Sequence, residues 1–331
     1  MNFEEFKDKI FGRNTKALKH LEKLLNSKNS KGNLHFSVNI LQNSLILDAN
    51  YQDWLSVKIK DLKKADLTGI SSILGEIRAL SYLNKAFGNI VEPKNETGPD
   101  FEIKSENQKI VVEVNTQLGS QKANILIDHG EFISKNFEMK ILEHFPYSFP
   151  DRKRDNITGN ATSKVAQIKG DEHQFRDEDI NILWIDYLDP IAWTFDLSHH
   201  TQPIGIFNES FTSGFIWWAI YGKKEDKIFD NLNIEFGIDK PYIMEFDGKF
   251  STNSKIDFIV FIFELNTIVF QNYQRKNPDD SIFLGLFQLP FYNYQESWIN
   301  FPIINLLDRI ISKKLEIEKL VDKINGNKNA N

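Results

Sequence analysis

Between residues 67 and 117 the apolar positions change period, and that change restricts the folds open to this chain more than any other feature. In "LTGISSILGEIRALSYLNKAFG", Ile70, Ile73, Leu74, Ile77, Leu80 and Leu83 recur at helical steps and make one apolar stripe. Gly88 suits the end of that helix, where a left-handed residue commonly stops the last turn. Three short runs follow, at 89–93, 100–104 and 109–115, and each reads as a strand. The polar turn "SENQ" joins the second to the third, so these two are expected to be adjacent and antiparallel.

The rest of the chain extends this pattern. A helix is expected over 161–169, "ATSKVAQIK", followed by a buried strand in "INILWIDYL", 180–188. "SGFIWWAIYG" reads as helical, and "KIDFIVFIF" and "TIVFQNYQ" flank "ELN" as a hairpin. Residues 3–27 and the stretch from Ile303 to Ile324 carry amphipathic helical periods, 33–50 alternate poorly, and 122–157 read as an insertion or loop. With no internal repeat and no low-complexity linker, a single elaborated α/β domain is expected: 1–65 as a helical and extended N-terminal region, 66–190 as the core, and 191–331 as a sheet extension with C-terminal helices.

Composition removes several function classes. The 331 residues contain no cysteine, which excludes disulfides and thiolate metal sites. No apolar run approaches the roughly 18 residues that span a bilayer, and the charged N-terminus does not resemble a signal peptide, so a cytoplasmic protein without a membrane partner is expected. The net charge of −6 argues against a uniformly basic coat for nucleic acid. Its distribution is uneven: residues 101–170 hold ten Lys/Arg against nine Asp/Glu, and residues 171–250 hold six against sixteen. A polyanion would meet the first of these regions.

The chemistry-bearing residues cluster in "GPDFEIKSENQKIVVEVNTQ", 98–117. Side chains two apart on a strand share a face, so Glu113, Asn115 and Gln117 point one way while Val112 and Val114 point into the core. Asp100 opens the preceding strand, and a hairpin of this length brings it within reach of the cation that Glu113 would hold. Two carboxylates with the Val114 carbonyl and waters form an all-oxygen site suited to Mg²⁺ or Mn²⁺ rather than zinc. Such an ion activates water and stabilises charge on a phosphodiester in transfer. Glu76, at the edge of the helical stripe, could reach the same sheet end; taken alone it is an ordinary solvated helix glutamate.

Taken together, a helix bearing Glu76, "GPD" ending at Asp100, "VVEVN" carrying Glu113, a later helix with Lys164 and Gln167, and the strand "INILWIDYL" resemble the PD-(D/E)XK nuclease superfamily over roughly residues 66–190. The resemblance implies a restriction-endonuclease-like fold, a central mixed sheet flanked by helices, with extra helical elements at both ends. It implies Mg²⁺- or Mn²⁺-dependent hydrolysis of DNA, an endodeoxyribonuclease in restriction or defence, with Asp100 and Glu113 as ligands and Glu76 assisting. A homodimer would suit cutting of both strands. In that family a lysine stands two residues after the second acid, positions water and offsets transition-state charge. This chain has Asn115 there. Lys164, with Gln167 on the same helical face, is the expected substitute, followed by Lys109, Lys104 and Lys169. The competing reading is a catalytically silent member of the fold that binds nucleic acid or a protein partner; a third is an unrelated α/β protein with ordinary surface acids.

Other residues carry bland readings. His199 and His200 have no partner at metal-ligand spacing. Trp217, Trp218 and the Phe-rich "FELNTIVF" read as core. No phosphate loop of the GxxxxGK[ST] type and no serine nucleophile elbow occurs in the sequence.

Overall fold

The computed structural model describes residues 51–62, 67–94, 98–105, 108–116, 162, 165–168, 174–186, 200–202, 204–207, 210–228, 232–233, 237–238, 242–250, 254–263, 266–275 and 278–289. The expectations for 3–27, 33–50, 122–157 and 303–324 lie outside these residues, as do Gln117, Lys164 and Lys169. The chain divides into two compact units. The first comprises 1–146, 169–193 and 255–294, and the second 147–168, 194–254 and 295–331.

In the first unit, α1 (Gln52–Leu62) and α2 (Leu67–Phe87) precede the strands β1 (Val91–Pro93), β2 (Phe101–Lys104), β3 (Lys109–Thr116) and β4 (Ile180–Asp186). Strands β11 (Phe258–Phe263) and β12 (Asn266–Gln271), with the helix α4 (Asp280–Phe287), complete it. The six strands form one mixed sheet in the order β1-β2-β3-β4-β11-β12. The meander β1–β2–β3 is antiparallel, β4 runs parallel to both β3 and β11, and β11–β12 is the expected hairpin. The α/β reading and the adjacent antiparallel pairing of β2 with β3 are therefore found. Strands β1 to β4 begin and end within two residues of the expected limits, while β11 begins three residues later and β12 ends three residues earlier than expected.

Helix α2 ends as its sequence requires. Gly88 has φ +72°, in the left-handed region where a side chain would be strained, and the chain turns there into β1. The buried surface of α2 is wider than the expected stripe: Arg78, Ala79, Ser81 and Tyr82 are buried along with Leu74, Ile77, Leu80 and Leu83. A helix closed in on this scale needs partners for its polar groups. Arg78 supplies one, donating from Nε and Nη2 to both oxygens of the buried Asp186 on β4, at 2.9 and 3.1 Å. Tyr82 stacks edge-on against Trp184 of the same strand.

Central strand β4 is buried at every position, as its uninterrupted apolar run implies for a parallel strand covered on both faces. At its start, Asp257 accepts from the Asn181 backbone N–H at 2.8 Å and from Arg275 Nε at 2.9 Å, tying β4 to the entrance of β11. The outer strand β1 carries charge instead. Glu92 and Glu102 pair with Lys94, Lys104 and Lys109, an arrangement that discourages edge-to-edge pairing.

The second unit is built around α3 (Phe215–Tyr221), the expected "FIWWAIY" helix. Short strands accompany it: β5 (Ile204–Phe207), β6 (Ser210–Ser213), β8 (Leu232–Asn233) and β9 (Gly237–Ile238) in one sheet, and β7 (Lys227–Ile228) with β10 (Tyr242–Ile243) in another. Trp217, Trp218, Ile228 and Met244 form its buried centre, so both tryptophans are core, as read from the sequence. His200 packs on the Phe215 ring at 4.5 Å.

Candidate active site

The site is built where β2 stops and β3 continues. Phe101 pairs with Val112 across the hairpin, and the next step along that register sets Asp100 opposite Glu113. Asp100 itself stands in a bend just before β2, not in the strand. Its side chain takes over the role that a strand backbone would have played: Oδ2 accepts from the Val114 N–H at 2.8 Å. In an extended strand one residue's N–H and C=O point toward the same neighbour. The Val114 carbonyl therefore faces the gap that Asp100 borders. Val114 is half-buried, less enclosed than the core position its alternation suggested, because the neighbouring strand has ended.

Strand parity then separates the acids. Thr116 meets α2 at Gly75, where a Cβ would overlap Thr116 Oγ1, so this glycine allows the helix backbone to lie directly on β3. Thr116, Val114 and Val112 thus share the α2 side of the sheet, and Glu113 and Asn115 take the other. Glu76 follows Gly75 and comes to the gap from the α2 side. The acids lie about one strand end on two faces of the sheet, and not on one. Among the described residues no group of three or more His, Asp or Glu is arranged to hold one metal ion.

Two residues outside the expected set complete the surroundings. Lys58 of α1 forms an ion pair with Glu76 Oε2, and both side chains are largely buried, at 16% and 14% exposure. Gln174, in the segment before β4, lies against the turn "GPD" and Glu113. With its amide nitrogen toward them it donates to the Gly98 carbonyl and, at 3.2 Å, to Glu113 Oε2. It thereby links the turn carrying Asp100 to the acid on β3. Nothing in the sequence around Gln174 marked it, since a lone glutamine in an acidic loop has no motif. Lys58 had a weak signal, being four residues after Trp54 and therefore on the same helical face.

The electrostatics follow from this crowding. The Glu76 carboxyl is raised from 4.5 to about 7, first by burial and then by the charge of Asp100, with Asp61 adding to it and Lys58 working against it. Glu76 therefore changes protonation near neutrality, in the range suited to proton transfer. Asp100 is close enough to be felt by Glu76, which places the two acids in one electrostatic neighbourhood.

The expected lysine substitutes are distributed differently. Lys109 pairs with Glu102 and Lys104 with Glu92. Both lie at the turn end of the hairpin, about 13 Å along β3 from Glu113 at 3.3 Å per residue. Gln167 is an exposed turn residue of the second unit, following helical residues 165 and 166. Compared with known protein families, curated proteins and solved structures, the chain matches none.

Proposed function

We propose that the chain is a divalent-ion-dependent nuclease that hydrolyses phosphodiester bonds in DNA. One observation carries the reading: Asp100 caps the open edge of β3 at Val114, directly across from Glu113, with Glu76 in the same electrostatic neighbourhood. The order α2–β1–β2–β3–β4, with β4 parallel to β3, is the order in which the resembled nuclease fold places its acids.

The donor set fits a hard cation. Asp100 and Glu113 carboxylates and the Val114 carbonyl are all oxygen, the ligand type Mg²⁺ and Mn²⁺ take. When bound, such an ion would lower the pKa of a water and draw charge from the phosphate. The chain's own residues do the rest. The Val114 N–H fixes the Asp100 carboxylate through Oδ2. Gln174 orients Glu113. Asn115, on the Glu113 face, can donate to a water or a phosphate oxygen, and Glu76 can accept a proton from water at neutral pH. Water adds to phosphorus, one phosphorus–oxygen ester bond breaks, and the products are a phosphomonoester and a hydroxyl end.

A second reading is a silent nuclease-fold protein that binds nucleic acid or a protein partner. It is favoured by the uncharged Asn115 and by Lys58, which already neutralises Glu76. A plasmid-cleavage assay with Mg²⁺ and Mn²⁺ separates the two. The nuclease reading expects cleavage that falls at least ~100-fold in Asp100→Asn and in Glu113→Gln, about 2.7 kcal/mol of barrier. Binding of DNA without cleavage would favour the silent reading, and variants that cut at the wild-type rate would overturn the assignment of Asp100 and Glu113.

A further inference from the structure

In the family that this chain resembles, a lysine stands where this chain has Asn115, yet the neighbourhood of the acids is not without a cation. Lys58 reaches across from α1 to Glu76, its ammonium 5.5 Å from the Trp54 ring centre. Trp54 is itself buried and touches Phe101, the first residue of β2. The contact fixes Lys58 from two sides: an aromatic face on its own helix, and a carboxylate on α2. An aromatic face stabilises a cation that has lost water. The same ring ties α1 to the strand end that Asp100 precedes.

Charge balance distinguishes this pair from a simple fastening of two helices. Glu76 lies within the field of Asp100 and Asp61 as well as Lys58, and Glu113 stands across from Asp100. Lys58 thus lies in a neighbourhood with several acids. A divalent ion arriving there would be attracted by the acids and repelled by Lys58.

We propose that Lys58 is the site's lysine, supplied from α1 in place of Asn115: it neutralises Glu76 while no ion is bound and opposes a divalent ion held by Asp100 and Glu113. Its part in the reaction rests on the nuclease reading above, where its charge would offset the charge that develops on the phosphate. Its effect on ion affinity does not depend on any substrate.

The test is a Mn²⁺ titration of the full chain by calorimetry, with thermal melting of each protein as the check on folding. Lys58→Met should bind Mn²⁺ at least ~10-fold more tightly than the wild type, because a fixed positive charge has been removed. Lys58→Arg, which keeps the charge, should stay within about threefold of the wild type. At saturating Mn²⁺, Lys58→Met should nevertheless cleave DNA at least ~10-fold more slowly, tighter ion binding with slower chemistry. A lysine that only fastens α1 to α2 would lower the melting temperature and move neither quantity. Lys58→Gln serves if the methionine variant does not fold. Unchanged or weaker Mn²⁺ binding in the charge-removing variant overturns the proposal. Asp100→Asn and Glu113→Gln in the same titration keep the two claims apart. If they weaken Mn²⁺ binding and Lys58→Met has no effect, the Lys58 proposal alone fails. If they leave affinity unchanged, the metal site fails on its own account, and a wild type that binds no Mn²⁺ overturns both.

Discussion

Helix α2 carries two ion pairs, two residues apart in sequence, and they are built on different principles. Arg78 meets Asp186 in a two-pronged bond with both side chains buried, one guanidinium to one carboxylate. Glu76 meets Lys58 within a neighbourhood that also contains Asp100 and Asp61. The first pair is balanced and closed. It fixes α2 on β4 and offers nothing to a ligand. The second stands beside further acids at the end of a strand, where the backbone of β3 loses its neighbour. Surplus charge held in a partly buried place is costly to stability, and it is what a site for a cation requires.

The largest expected effect is on the closed pair. Arg78→Met takes the guanidinium from the buried Asp186 and should cost about 3–5 kcal/mol of stability, read from urea unfolding. Adding Asp186→Leu should recover most of that loss, since a buried pair replaced by apolar groups is often neutral. Failure to recover would show that the pair does more than match charge. Tyr82 belongs to this closed environment as well: burial, and then the Asp186 charge, hold its hydroxyl in the protonated form.

A smaller and pH-dependent effect is expected at the open pair. The folded-state pKa of Glu76, about 7, is above its unfolded value of 4.5. The folded protein therefore binds the proton more tightly, and stability falls as pH rises from about 4.5 through about 7. Above that window the buried charge costs up to about 3 kcal/mol at 1.36 kcal/mol per unit. Glu76→Gln, which resembles the protonated acid, should melt higher than the wild type at pH 8. The difference should shrink toward pH 4.5. Equal melting temperatures across that range would contradict the electrostatic account of the site.

The smallest effect belongs to the exposed ladder on β1 and β2. Lys104→Ala removes a surface ion pair with Glu92 and should change stability by less than about 1 kcal/mol, with the difference vanishing in high salt. A larger loss would mean that exposed pairs matter here as much as enclosed ones.

Much of the sheet was legible in the sequence because its signals are local. Alternation marked β2 and β3, a continuous apolar run marked β4, and the polar turn gave the hairpin its direction. Asp100 and Glu113 were legible for the same reason, since one strand register relates them. Helix α1 was not read, although "YQDWLSVKIKDL" carries Tyr51, Trp54, Leu55, Ile59 and Leu62 at helical spacing; what places it is tertiary, Tyr51 to the Val91 carbonyl and Trp54 to Phe101. Lys58 was missed with it. Gln174 could not be found from sequence, because its meaning comes only from the turn and strand it touches. Glu76 was named from the sequence, but its side of the sheet was not legible there, because its position opposite the Glu113 face follows from how closely Gly75 lets α2 approach Thr116.

The central claim is that the gap at the end of β2 is a cation site, and a crystal soaked in Mn²⁺ tests it without any assumption about substrate. Data collected at the manganese absorption edge should show an anomalous peak between the carboxylates of Asp100 and Glu113, within about 2.0–2.6 Å of oxygen ligands that include the Val114 carbonyl. A map with no peak there at saturating Mn²⁺, or with its peaks at other acids only, would contradict the account.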